Sequence, residues 1–131
     1  MKKTGILNHE LSRVIAAMGH TDLLVVSDAG LPVPAGVARV DLAVALGVPP
    51  LLDVIRAIAS ELVVEALTVA DELVAGETDL PNALRAFFPG AAYATVSHAE
   101  FKAISAHAKA VVRTGEATPY ANVILRGGVA Y

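Results

Sequence analysis

The apolar positions of this chain follow two spacings in turn. Leu11, Val14, Ile15 and Met18 fall at i, i+3, i+4 and i+7, one stripe of a helix that Asn8 can cap and that runs through Ser12 to Met18. Gly19 is placed to stop it, because glycine accepts the left-handed conformation that ends helices. His20-Thr21-Asp22 is a short loop. The continuous apolar run Leu23 to Ser27 predicts a strand buried on both faces, ended by Asp28-Ala29-Gly30 and a proline loop through Pro34.

Val37 to Val44 reads as a second strand, and Gly47-Val48-Pro49-Pro50 punctuates it. Leu51, Ile55, Ile58 and Leu62 share a helical face, and Leu62 to Ala70 reads as a strand. Asp71 to Gly76 fits neither period. Asn82 to Phe88 predicts a short helix closed by Pro89-Gly90, and Ala92 to Val96 a strand. Ser97-His98-Ala99-Glu100 has the form of a capping box. The helix after it is expected to reach about Val112, with Phe101, Ile104, Ala108 and Val111 inward. A loop over Thr114 to Pro119, a strand over Asn122 to Leu125, a Gly127-Gly128 turn and an edge segment Val129-Ala130-Tyr131 complete the chain. Strands alternating with helices predict a single α/β domain over residues 1–131, with a mostly parallel sheet flanked by helices.

Composition sharpens this picture. The chain has 131 residues, 55% of them hydrophobic, yet no apolar run approaches the ~20 residues that span a bilayer. The surplus apolar surface predicts a homo-oligomer, since obligate interfaces resemble a core cut in half. The net charge is −3 and no basic run is interleaved with aromatics, which argues against nucleic acid as a partner. There is no cysteine, hence no disulfide and no thiolate chemistry. The basic start Met1-Lys2-Lys3 is followed by an apolar pair cut off at Asn8-His9-Glu10, which is not a signal-peptide pattern; a cytoplasmic protein with no membrane partner is expected. Phosphate-cradling glycine loops, a nucleophile elbow and metal-ligand spacings are missing, so no cofactor and no metal are expected.

A few polar residues stand out. His20 follows a helix end, where the macrodipole favours imidazolium; a cap for the last carbonyls is an equally good reading. Asp28 lies at the exit of a buried strand, where open α/β sheets bind ligands, though it can equally brace its own loop through the amides that follow. His98 sits in the first turn of a helix, a setting that favours a neutral ring. Lys102 lies one turn later and reads as a solvated residue, as do His9 and His107. Tyr120 and Asn122 are separated by one residue and would face the same side of an extended segment. A phenol and an amide there suit sugar hydroxyls; a core tyrosine and a turn asparagine are the plainer alternative.

Several segments together resemble the D-ribose pyranase family, which is related to fucose mutarotase: Ile6-Leu7-Asn8, Met18 to Asp22, Asp28 to Pro32, Arg39 to Ala43, Val64-Glu65-Ala66 and Gly115 to Asn122. The likeness runs from Met1 to Tyr131, with a shortened segment around Gly76 to Ala92. Ser27 stands where the family pattern has cysteine, and Gly127-Gly128 also departs from it. The Gly30-Leu31-Pro32 loop and the intact Thr118 to Asn122 block favour the ribose branch. The resemblance implies a cyclic homo-oligomer, a decamer or octamer, with sites at subunit contacts, and an isomerase of ribose catabolism that exchanges pyranose and furanose forms of D-ribose. It implies His20 as proton donor and Asp28, His98, Tyr120, Ala121 and Asn122 as sugar-contacting positions. Two other readings are a fucose-type mutarotase and a non-catalytic sugar-binding accessory of ribose transport. Ring opening needs only acid–base groups, which agrees with the missing cofactor motifs.

Overall fold

The computed structural model describes residues 1–131. Asn8 caps the first helix, α1 (His9–Ala17), its Oδ1 accepting from the Leu11 amide at 2.9 Å. The helix ends on Met18 in extended backbone. Gly19 is not the left-handed residue expected there; Thr21 is, at φ 69°. The strands are β1 (Leu23–Ser27), β2 (Ala38–Asp41), β3 (Val64–Ala70), β4 (Ala92–Val96), β5 (Ala110–Arg113) and β6 (Val123–Gly127). The remaining helices are α2 (Leu51–Ala59), α3 (Asp71–Ala75), α4 (Leu80–Phe87) and α5 (His98–Ser105).

The strands form one six-stranded sheet in the order β2-β5-β1-β6-β3-β4. β1–β5, β2–β5 and β3–β4 pair in parallel, and β6 is antiparallel to both β1 and β3. Five strands therefore share one direction, and the single reversed strand lies inside the sheet. Its reversal places the start of β6 at the same edge as the ends of the other five.

Period-2 alternation sorts the central strands between two helix layers. Leu24, Val26, Ala110, Val112, Val123 and Leu125 join a core of 21 buried residues with α1, α2 and α4. Val25, Val111 and Ile124 point the other way, into a cluster of 6 around Phe101 of α5. One face is thus covered by several helices and the other by one short helix. No helix is long and apolar enough to cross a membrane.

One expected element was wrong. The helix after Ser97 stops at Ser105, and β5 follows where the periodicity continues to Val112. Ala108 and Val111 satisfy a helical spacing, but Val111-Val112 is β-branched and fills the slot between β1 and β2. Ser105 closes the helix by donating its hydroxyl to the Phe101 carbonyl at 2.8 Å. Other differences are at boundaries. β2 is shorter than expected because Asp41 Oδ1 accepts from the Ala43 amide at 3.0 Å and turns the chain. Asp71–Ala75 is helical, Pro81 lies in the first turn of α4, and Gly127 belongs to β6 rather than to a turn. Residues 129–131 form no edge strand.

Candidate functional site

Four chain segments meet at the sheet edge where the parallel strands end. β1 exits into Asp28, β5 into Glu116, β4 into His98, and β6 is entered through Tyr120-Ala121-Asn122. This is the edge at which open α/β sheets bind ligands. Asp28, His98, Glu116, Thr118 and Tyr120, with Leu46 at the rim, line a cavity of about 460 Å³ there, within the ~300–1,000 Å³ usual for small-molecule sites.

Asp28 anchors the site by bracing its own loop. Its Oδ1 accepts from the amides of Gly30 at 2.9 Å and Leu31 at 2.8 Å, the loop-bracing reading, and the residue also lines the cavity. Asn122, fully buried, holds it from beneath. The Asn122 Oδ1 accepts from the Asp28 amide at 2.8 Å, and its Nδ2 donates to Asp28 Oδ2 at 3.2 Å. Arg113 Nε donates to the Ala29 carbonyl at 2.9 Å while Nη1 reaches Asp41 at 3.1 Å.

The opposite wall is held by Glu116. Its Oε1 accepts from the Ala117 and Thr118 amides and the Thr118 hydroxyl, and Oε2 accepts from the Leu51 amide at 3.0 Å. Partial burial works to raise this carboxyl, but the accepted hydrogen bonds prevail and hold it below its ordinary value. Its backbone carbonyl accepts from the Ala29 amide at 2.9 Å, so the two loops are tied together.

His98 begins α5 behind the Ser97 cap. The Ser97 Oγ accepts from the Glu100 amide at 3.2 Å, the serine half of the expected capping box, and the His98 amide donates to Glu72 at 2.9 Å. The His98 ring stacks on Phe101 and meets Tyr120 edge-on at 5.0 Å. Its Nδ1 is buried without a partner. The residue lines the cavity, and this nitrogen is a polar atom that no other group of the chain satisfies.

Tyr120 and Asn122 do not face the same side. Tyr120 has φ 62°, and the Asn122 amide donates to the Tyr120 carbonyl at 2.7 Å. This tight turn sends the phenol to the cavity and the amide side chain inward. Ala121 is buried behind it. Lys102, His9 and His107 are exposed, as read from their settings.

His20 lies at the other edge of the sheet. It precedes β1 while Asp28 follows it, and the five residues of that strand, at about 3.3 Å each, separate them by about 16 Å. There its Nε2 lies 3.0 Å from Glu65 Oε2, and Glu65 Oε1 accepts from Arg126 Nε at 2.6 Å. The hydrogen bond with His20, then that with Arg126, holds the Glu65 carboxyl below its ordinary value. One chain therefore brings Asp28, His98 and Tyr120 together over Asn122, and leaves His20 out. The sequence reading assigned no role to Glu116, Thr118, Glu65 or Arg126. Alternating polar residues after a strand end, Thr114-x-Glu116-x-Thr118, were the signal for the first pair; nothing local points to the second.

The model of the RbsD / FucU transport protein family matches residues 1–130. The chain is 54% identical to the D-ribose pyranase of Symbiobacterium thermophilum, over 100% of both chains. It is 50% identical to that of Geobacillus kaustophilus, over 100% of this chain and 96% of the relative. The structure of Bacillus subtilis RbsD complexed with D-ribose superposes with TM-score 0.95 at 45% identity, with both chains fully covered. A fucose mutarotase in complex with L-fucose from Streptococcus pneumoniae shares the fold, at TM-score 0.76 and 23% identity over 95% of each chain.

Proposed function

The chain belongs to the RbsD / FucU family, and from that premise we propose that it is an isomerase interconverting the pyranose and furanose forms of D-ribose. The observation that carries this reading is the cavity at the strand ends. It offers a carboxylate, an imidazole and a phenol to a polyol, beside a fold that superposes on a ribose complex at TM-score 0.95.

The reaction needs one proton delivered to the ring oxygen and one removed from the anomeric hydroxyl. Asp28 suits the second task, because its Oδ2 accepts a single hydrogen bond in the chain, from Asn122. The His98 ring and the Tyr120 hydroxyl hold other hydroxyls. His20 is the acid. Its proton passes to the ring oxygen as the C1–O bond breaks, Asp28 takes the hydroxyl proton, and the aldehyde forms. After rotation about C1–C2 a different hydroxyl attacks. It returns its proton to His20 while Asp28 reprotonates the carbonyl oxygen, and both groups are restored.

His20 is about one strand length from Asp28, so it has to reach the cavity of a neighbouring copy. A head-to-tail ring, decameric or octameric, provides such contacts. Val44, Leu46 and Val48 support this: they are 82%, 77% and 52% exposed, and Leu46 is itself at the cavity rim. Exposed apolar side chains gathered beside a polar cleft fit an interaction surface.

The test is exchange NMR on D-ribose with catalytic protein. Cross-peaks between pyranose and furanose anomers are expected. Exchange confined to anomers of one ring size would favour a mutarotase, and no exchange a binding protein. His20→Ala and Asp28→Asn should each be inactive alone. Co-assembled in equal amounts they should regain activity at about a quarter of the interfaces, by random pairing of subunits. Mixed rings without activity would rule out the shared site.

A further inference from the structure

The edge of the sheet that holds His20 is built as carefully as the edge that holds the cavity. β3 carries a register shift against β6: Val64 faces Gly127 and Ala66 faces Arg126, so Glu65 is an extra residue with no partner. A bulge of this kind re-aims a side chain. Here it delivers a carboxylate that takes His20 Nε2 on one oxygen at 3.0 Å and Arg126 Nε on the other at 2.6 Å.

The His20 turn is itself clamped. Thr21, a β-branched residue at φ 69°, donates its amide to the Gly127 carbonyl at 2.9 Å. The Gly127 amide donates to the Asp22 carbonyl at 2.9 Å, and Asp22 Oδ2 accepts from the Gly19 amide at 2.8 Å. A left-handed β-branched residue costs energy and persists where its surroundings enforce it, often at functional sites. A side chain at Gly127 would place its Cβ 2.7 Å from the Gly19 carbonyl oxygen, so only glycine lets β6 come this close to the turn. Glu65 is the charged partner of the imidazole and Arg126 pairs with that carboxylate; Asp22, two residues after His20, pairs with Lys109 at 3.6 Å.

We infer that Glu65 is a positioning residue for His20: the bulged carboxylate fixes the imidazole with its proton on Nε2, so that Nδ1 is the atom that exchanges a proton with the sugar. Arg126 keeps the Glu65 carboxylate charged and aligned, and Glu65 itself does not touch the substrate. A carboxylate that holds a histidine through one nitrogen leaves the other free for chemistry, with its tautomer set.

This inference rests on the proposed isomerase reading, and two measurements separate them. The first uses no sugar. With ¹⁵N-labelled histidine, and His20 assigned by its absence in His20→Gln, the neutral His20 ring of the wild-type protein should show one tautomer, protonated at Nε2. In Glu65→Gln the ring should become a mixture of tautomers. The second is ribose exchange. In Glu65→Gln, kcat should fall by about 10- to 100-fold, no more than the low end of the ~10²–10⁴-fold that one positioned acid supplies, because the acid itself remains, while KM stays within about twofold because no sugar contact is lost. Glu65→Asp, which restores the charge one methylene short, should recover part of the rate. Light scattering on each variant checks that assembly is intact. An unchanged tautomer in Glu65→Gln would overturn the inference, as would an unchanged kcat or a loss confined to KM. A wild-type protein that shows the single tautomer but no ribose exchange would overturn the isomerase reading and leave the His20–Glu65 pair standing.

Discussion

Removing the Asn122 side chain should destabilise the protein far more than its size suggests. Asn122 is fully buried and its amide is spent on one residue, accepting from the Asp28 amide and donating to the Asp28 carboxylate. In Asn122→Ala the Asp28 N–H loses its partner inside the protein, at a cost of about 1–3 kcal/mol. The lost bond to the carboxylate is worth less than the ~1.5–3 kcal/mol of a buried charged hydrogen bond, because Asp28 borders the open cavity and water can replace it. The Gly30 and Leu31 amides also remain on Oδ1. The net expectation is a loss of about 2–3 kcal/mol. At about 3–4 °C per kcal/mol for a chain of this size, Tm should fall by about 6–12 °C. The assay is thermal unfolding followed by circular dichroism at a single protein concentration, since the Tm of a protein that assembles depends on its concentration. Asn122→Asp is the informative companion. It sets a second carboxylate against Asp28, so at pH 7 it should unfold below Asn122→Ala. The gap should narrow toward pH 4 as one of the pair takes a proton. If Asn122→Ala unfolds within 2 °C of wild type, with 2 °C set as about the error of such a comparison, the amide does not brace Asp28 and the account of that loop is wrong.

Other expectations follow from the same geometry. Gly127→Ala should lower both Tm and the ribose exchange rate, because its Cβ would press on the Gly19 carbonyl oxygen at 2.7 Å; retention of both would mean that the His20 turn tolerates displacement. Glu116 is held below its ordinary carboxyl value of 4.5, so the unfolded chain binds its proton more readily than the folded one. Its stabilising contribution is complete above pH 4.5 and is lost as pH falls through the folded value. The Tm difference between wild type and Glu116→Gln should therefore shrink on acidification, and a difference that grows would reverse the assignment. No three His, Asp or Glu side chains of the chain converge as metal ligands, so ribose exchange should persist in EDTA; loss of turnover restored by a divalent metal would contradict this. Light scattering at micromolar concentration should give an oligomer, and a monomer would remove the shared site.

What the amino-acid sequence determined by itself was whatever depends on neighbours along the chain. The run Leu23 to Ser27 is a strand because consecutive apolar residues serve two covered faces, and Asn8 and Ser97 cap helices because their side chains reach amides three residues on. The family was legible for the same reason, in contiguous blocks such as Met18 to Asp22 and Gly115 to Asn122. The tertiary structure decided the rest. Val111-Val112 is a strand because β1 and β2 leave a slot between them, a fact with no local trace. Tyr120 and Asn122 part company because a left-handed residue breaks the alternation that their spacing suggests. The pairing of Asn122 with Asp28, 94 residues apart, and of His20 with Glu65, 45 apart, depends on which strands become neighbours. The shared direction of β1 and β4 put Asp28 and His98, which follow them, at one end of the sheet, and His20, which precedes β1, at the other.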